Sequence, residues 1–214
     1  EMETTKKWEQ HHQPFAIVIC LIVWTPFPGH AAKKAIKDPV RTIRSDTVSY
    51  GAQYSIVPVD TGSGGDVSLG IARENGSSLT AVVQDKDETS AGILVLLQPL
   101  NANSGVVRVS TDLNIEFDRG FMPPNATDSV WQISLYDKGT KQNFVTVGGV
   151  LGGRVGSNSR SWFRIEKNGF YFNLRFCPPV CNTCKAICKD VGIYNDKGLR
   201  RLALSDVPFR LMFR

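Results

Sequence analysis

The sequence predicts an all-β protein, a barrel or sandwich built as one domain. Three observations carry that expectation. Short apolar–polar alternations recur along most of the chain, Gly, Pro, Asn and Asp separate them, and no segment sustains a 3.6-residue period. With 214 residues, 42% of them hydrophobic, the chain has enough apolar material for one sizeable core. Its 19 Gly and 11 Pro fall well short of a disordered composition.

The first segment stands apart from the rest. Phe15–Trp24 (FAIVICLIVW) is an unbroken apolar run of ten residues. Ten helical residues rise only about 15 Å, half the hydrocarbon core of a bilayer, so the run does not anchor the chain. Lys6 and Lys7 precede it, and Gly29-His30-Ala31-Ala32 follows with small residues at the cleavage positions. That order is the layout of a secretory signal peptide covering residues 1–31, cut after Ala31 or Ala32. Its removal takes two basic residues (Lys6, Lys7) and three acidic ones (Glu1, Glu3, Glu9), so a net charge of +5 becomes +6. Cys20 leaves as well, together with His11, His12 and His30, the three histidines of the chain. A mature protein without imidazole has no Ser-His-Asp triad, no Cys-His dyad and no His-ligated metal. A carboxylate pair remains open to glycoside hydrolysis, but an enzyme is not expected. The charge is spread along the chain, whereas a nucleic-acid partner calls for a basic stripe. No nucleic-acid or membrane partner is expected for the mature form, and neither cofactor nor metal.

Residues 32–39 (AKKAIKDP) read as a basic, loose lead-in. Strands are then expected at 54–59, 67–71, 79–84, 93–98, 106–110, 113–117, 130–135, 143–148, 163–165, 172–176, 191–194, 200–204 and 209–213. In Leu113-Asn114-Ile115-Glu116-Phe117 the apolar residues take one face and the polar pair the other, as a half-buried antiparallel strand requires. Phe163-Arg164-Ile165, Phe172–Phe176 and Phe209–Phe213 repeat the pattern.

The remaining cysteines, Cys177, Cys181, Cys184 and Cys188, crowd into one short stretch. Four thiolates suit zinc, and Cys181-x-x-Cys184 has ligand-like spacing. An even count in a secreted chain reads instead as disulfides, with three pairings open. The nested pairing, Cys177–Cys188 around Cys181–Cys184, would staple a single loop. Asn75-Gly-Ser77 and Asn125-Ala-Thr127 are glycosylation sequons, placing Asn75 and Asn125 in surface turns.

Several pieces in order carry a family resemblance: Tyr54-Ser-Ile-Val-Pro58, Leu79-Thr-Ala-Val-Val-Gln84, Val106–Ile115, Trp162-Phe-Arg-Ile-Glu166, Asp190-Val-Gly-Ile193 and Arg200–Phe209. From about Val40 to Arg214 the chain resembles the plant Kunitz-type inhibitors, the trypsin-inhibitor and miraculin group. The resemblance implies a β-trefoil of about twelve strands in three four-stranded units. It also implies a substrate-like inhibitory loop between the fourth and fifth strands. Here that loop is Gln98, Pro99, Leu100, Asn101, Ala102, Asn103, Ser104 and Gly105, and the family's loop proline at Pro99 puts the scissile bond between Asn101 and Ala102. A pre-shaped loop loses little ordering entropy on entering an active site.

Three departures shape the reading. Trypsin inhibitors of the family carry Arg or Lys where Asn101 stands, because an acidic pocket demands a cation. The family's bracing Asn, near the start of the barrel, falls at Tyr50, which is not a compact amide. The family's first disulfide is absent, its cysteine falling at Ser78 with no partner near 121–130. The second family disulfide maps onto Cys177 and Cys188, with Cys181 and Cys184 bridging inside it. The expected function is therefore a secreted endopeptidase inhibitor, monomeric, aimed at a protease of the serine class but not strongly at trypsin. Other loops, Asp137–Gln142 or Gly153–Ser161, offer different targets. The alternative is a non-inhibitory storage, wound-response or miraculin-like protein, in the extracellular space or the vacuole. A carbohydrate-binding trefoil would repeat Gln-x-Trp, which does not occur in the chain.

Overall fold

The computed structural model describes residues 36–60, 62–74, 77–101, 103, 105–124, 126–152, 156–178 and 187–214. The expected leader 1–31, Asn75, Ala102, Ser104, Asn125, Cys181 and Cys184 lie outside the described residues. The strands are β1 (Gln53–Tyr54), β2 (Ile56–Pro58), β3 (Val67–Glu74), β4 (Ser77–Gln84), β5 (Val95–Pro99), β6 (Asp112–Phe117), β7 (Trp131–Ile133), β8 (Val145–Val147), β9 (Phe163–Asn168), β10 (Tyr171–Phe176), β11 (Lys189–Asp196), β12 (Leu199–Ser205) and β13 (Arg210–Phe213).

The pairings repeat three times. The units are β1/β2 to β5, β6 to β9, and β10 to β13. The first strand of each unit pairs antiparallel with the last strands of two units. Thus β1 pairs β5 and β2 pairs β13, β6 pairs β5 and β9, and β10 pairs β9 and β13. Six strands close on themselves and leave no exposed edge in the barrel. The middle hairpins β3–β4, β7–β8 and β11–β12 meet one another at Ala81↔Thr146, Val83↔Arg201 and Phe144↔Ala203. This is a β-trefoil, as the resemblance implied. The first strand of the first unit is split at Ser55, whose N–H donates to the Arg214 carbonyl at 2.8 Å while Arg214 N–H donates back at 3.0 Å. Ser55 is where this strand changes partner from β5 to β13.

The barrel interior holds Ile56, Val95, Leu97, Leu113, Ile115, Phe117, Phe163, Ile165, Leu174, Leu211 and Phe213, all buried. Trp131 packs on Phe117 at 5.2 Å between ring centres and meets Phe163 edge-on at 6.4 Å. Among the hairpins sits one buried cation. Arg201, 1% exposed, pairs with Asp196 at 3.0 Å and lies 3.4 Å over the Phe144 ring. Desolvation makes such a group costly to fold around, and both the carboxylate and the ring face offset that cost.

Two expectations need correction. Residues 106–110 form isolated bridges, Ser49↔Val106 and Pro39↔Arg108, rather than a strand. Their backbone bonds go to the incoming chain: Val107 N–H to Val48 O, Val109 N–H to Asp38 O, and Val40 N–H to Val107 O, at 2.9–3.0 Å. Left-handed backbone at Gly105 (φ 64°) and Ser110 (φ 53°) ends the extended run on both sides. Lys37–Pro39, the end of the lead-in, is thereby tied to the domain. Second, Asn114 does not face solvent: it is 1% exposed, held between Gly152 N–H and Ser161 O on the outer side of β6.

Candidate functional site

The expected loop emerges from a well-held stem. Gln98 and Pro99 are the last residues of β5, paired with Asn114 and Leu113 of β6, so the connection runs from Leu100 to Thr111. Leu100 N–H donates to Asp112 O at 2.9 Å and closes the entry side. Tyr50 N–H donates to Gly105 O at 2.9 Å and closes the exit side. Between these clamps Asn101, Asn103 and Gly105 are exposed, and Asn101 Oδ1 accepts from Asn103 N–H at 3.3 Å. Such a local side-chain turn shapes the tip without using the body of the protein.

Polar contacts hold the stem from the sides. Gln98 Nε2 donates to Glu116 Oε1 at 2.8 Å, and Arg164 pairs with Asp112 at 2.7 Å. Thr111 Oγ1 donates to Arg108 O at 2.6 Å, and Arg108 donates to Lys37 O at 2.8 Å. No cation lies among Gln98–Gly105, so the loop presents amides and small side chains.

The position where the family braces the loop behaves as the sequence suggested, with one addition. The Tyr50 side chain is 47% exposed, and what reaches the loop is its main-chain N–H. The adjoining Ser49 N–H is fixed by the Tyr54 hydroxyl at 2.8 Å. Composition gave no hint of this, because a backbone donor leaves no mark on residue identity.

Behind the stem lies a residue that sequence reasoning missed. Asn114 Nδ2 donates to Ser161 O at 2.8 Å and its Oδ1 accepts from Gly152 N–H at 2.9 Å. One buried amide thus grips both flanks of the Gly153–Ser161 candidate loop. The available signal was a polar residue inside an apolar triplet, repeated in Tyr54-Ser55-Ile56, Leu113-Asn114-Ile115 and Phe172-Asn173-Leu174, with each central residue buried.

The Asp137–Gln142 candidate is a self-braced turn. Asp137 N–H donates to Gln142 O at 2.8 Å, and the Asp137 carboxylate accepts from Gly139 N–H, Thr140 N–H and Thr140 Oγ1. The Thr140 hydroxyl first, then the Gly139 N–H, hold the Asp137 carboxyl below the usual carboxylate range. Lys138 and Lys141 stand exposed on this turn. Its closed ladder differs from the extended backbone a protease active site takes.

Near the C-terminal hairpin, Cys177 and Cys188 form a disulfide, so neither is a free thiolate ligand.

Comparison with known proteins fits this architecture. Residues 40–214 match the Kunitz legume family, whose description is trypsin and protease inhibitor. The chain is 43% identical to miraculin of Synsepalum dulcificum over 206 residues, covering 93% of each. It is 37% identical to Kunitz trypsin inhibitor 5 of Arabidopsis thaliana over 198 residues, covering 92% of this chain and 95% of that one. Among solved structures, the Kunitz-type cysteine protease inhibitor PCPI-3 from potato superposes with a TM-score of 0.70 at 30% identity, over 83% of this chain and 97% of that one. Members of this family are protease inhibitors rather than enzymes. The chain belongs to the Kunitz-type family of trypsin and protease inhibitors, as an inhibitor or a related non-inhibitory member of the same fold.

Proposed function

We propose that this protein is a secreted, monomeric inhibitor of an endopeptidase of the serine class, that it presents Gln98–Gly105 as a substrate-like loop, and that it has no enzymatic activity of its own. The observation that carries the reading is the double clamp: Leu100 and Gly105 are each bonded to the body while Asn101 and Asn103 stand in solvent. A loop held in this way resists the relaxation that would let a protease release it, and its cut ends stay close enough to rejoin. The scissile bond is Asn101–Ala102. An amide at Asn101 leaves the acidic pocket of trypsin unmet, so the target accepts a small polar side chain.

The same reading includes removal of residues 1–31, residence outside the cell or in the vacuole, a second bridge Cys181–Cys184, and glycans on Asn75 and Asn125. It involves neither metal nor cofactor.

The test titrates a panel of serine, cysteine and aspartic proteases with the purified protein and locates any cut by mass. Stoichiometric inhibition with a slow cut at Asn101–Ala102 supports the loop. Inhibition with a cut elsewhere moves the site to another loop, and no inhibition across the panel favours the non-inhibitory alternative. Asn101→Arg sharpens the result with trypsin. The new guanidinium meets the pocket, so affinity should rise by about a hundredfold or more if the clamps hold. Rapid cleavage after the introduced arginine would show that they do not.

A further inference from the structure

The turn between β9 and β10 carries a side chain that the fold does not need. Asn168 pairs with Tyr171, which leaves Gly169 and Phe170 as a two-residue hairpin turn, with Gly169 at φ 64°. That geometry asks for glycine first and tolerates any small polar residue second. Phe170 instead stands 98% exposed. A single exposed aromatic means little by itself. This one sits beside a groove of about 530 Å³ whose lining includes Arg41, Ile43, Lys167, Phe170, Phe172 and Met212. Ile43 is 49% exposed, and Ile36, two residues before the lining residue Asp38, is 82% exposed.

Cations surround these apolar groups. Arg41 lines the groove, and Lys37 and Arg44 stand close to it in the chain, against Asp38. Lys167 adds another, paired at 3.4 Å with Asp38 in a bridge open to solvent on both sides, which salt and competing anions readily displace. Exposed apolar side chains ringed by Lys and Arg form the pattern of a surface that settles into the headgroup layer of an anionic bilayer. A polyanion without an apolar interior would use the cations and leave Phe170, Ile43 and Ile36 in water.

We propose that this face, with the Phe170 hairpin tip at its centre, docks the protein on membranes rich in anionic lipid. Phe170 and Ile43 enter the acyl boundary while Arg41, Arg44 and Lys167 meet headgroup phosphates and carboxylates. The binding is peripheral and reversible, and it is independent of protease inhibition.

The experiment is vesicle co-sedimentation of the whole protein, its mass recorded first, on phosphatidylcholine vesicles with and without phosphatidylserine. Binding should require phosphatidylserine and fall at least tenfold between low and high salt. Phe170→Ser should weaken it about tenfold, the loss expected for one large apolar side chain that no longer leaves water, with the melting temperature unchanged. Phe170→Trp should give a blue-shifted emission on phosphatidylserine vesicles that brominated lipid quenches. Four results would overturn the proposal: no binding; binding that Phe170→Ser leaves intact, which would mark a general polyanion site; equal binding to pure phosphatidylcholine, which would assign the affinity to a retained apolar segment 15–24; or a Phe170-dependent dimer in sedimentation, which would make the face a contact between copies.

Discussion

Asn114→Ala removes a side chain that joins β6 to both Gly152 and Ser161. The Ser161 carbonyl, on a residue 1% exposed, loses its 2.8 Å donor. A buried acceptor left unpaired costs about 1–3 kcal/mol. Gly152 lies at the surface, so its N–H turns to water once the 2.9 Å acceptor is gone, a loss of about 0.5–1 kcal/mol. The small void adds to both, giving a destabilisation of about 2–4 kcal/mol. For a domain of this size that is a fall in melting temperature of about 5–12 °C. Urea unfolding of the purified variant, with the slope checked against the parent, measures the loss directly. Asn114→Asp is the sharper companion. It keeps an acceptor for Gly152 N–H but sets an oxygen against the Ser161 carbonyl, so it should be at least as unstable at neutral pH and recover as acid protonates the new carboxyl. Trypsin should also cut faster at Arg154 or Arg160 in Asn114→Ala than in the parent. A loss below about 1 kcal/mol, or an Asn114→Asp variant as stable as the parent at neutral pH, would refute the bridging role.

Asp66 is 5% exposed and paired with Arg214 at 2.6 Å, yet burial, outweighing the arginine, pushes its carboxyl above the ordinary value. The folded state therefore takes up this proton more readily than the unfolded chain, and the group favours folding as pH falls through its folded pKa. Asp66→Asn should accordingly lose stability more steeply than the parent on acidification, and parallel denaturation curves between neutral and acid pH would contradict this. Arg201→Ala deprives Asp196 of its partner and opens space beneath Phe144, and thermal denaturation should register a loss of about 3–5 kcal/mol. Replacing Cys177 and Cys188 together by serine releases a loop of sequence separation 11 and should cost about 2–3 kcal/mol, more than the same exchange at Cys181 and Cys184 if those two form the shorter inner bridge. Calorimetry of the two double variants compares them.

Strand positions and the all-β class were legible because period-two alternation and turn residues are local properties. Leu113–Phe117 and Phe172–Phe176 announced themselves as strands before any partner was known. The family, and with it the trefoil, was legible because motifs such as Trp162–Glu166 and Arg200–Phe209 keep their order along the chain. The Cys177–Cys188 pairing also followed from the resemblance, while the residues alone left three pairings open.

What alternation missed is what the closed barrel does to its outer face. A strand read in isolation has a wet side, and Asn114 was assigned to it. In the folded chain Gly152 and Ser161 meet that side, so Asn114 becomes a buried bridge instead of a surface amide. Residues 106–110 alternate as well as any strand, but their partners are the bonds offered by Asp38, Val40 and Val48, far earlier in the chain. The clamps on Leu100 and Gly105 are main-chain bonds, to Asp112 and Tyr50, and main-chain groups are the same in every residue. Sequence by itself determined the all-β class, most of the strands and the family they belong to. Tertiary structure alone decided which polar side chains are buried, which backbone groups hold the loop, and that Phe170 stands in solvent beside Ile43 and Lys167. Those are relations between distant segments, and they exist only once the barrel has closed.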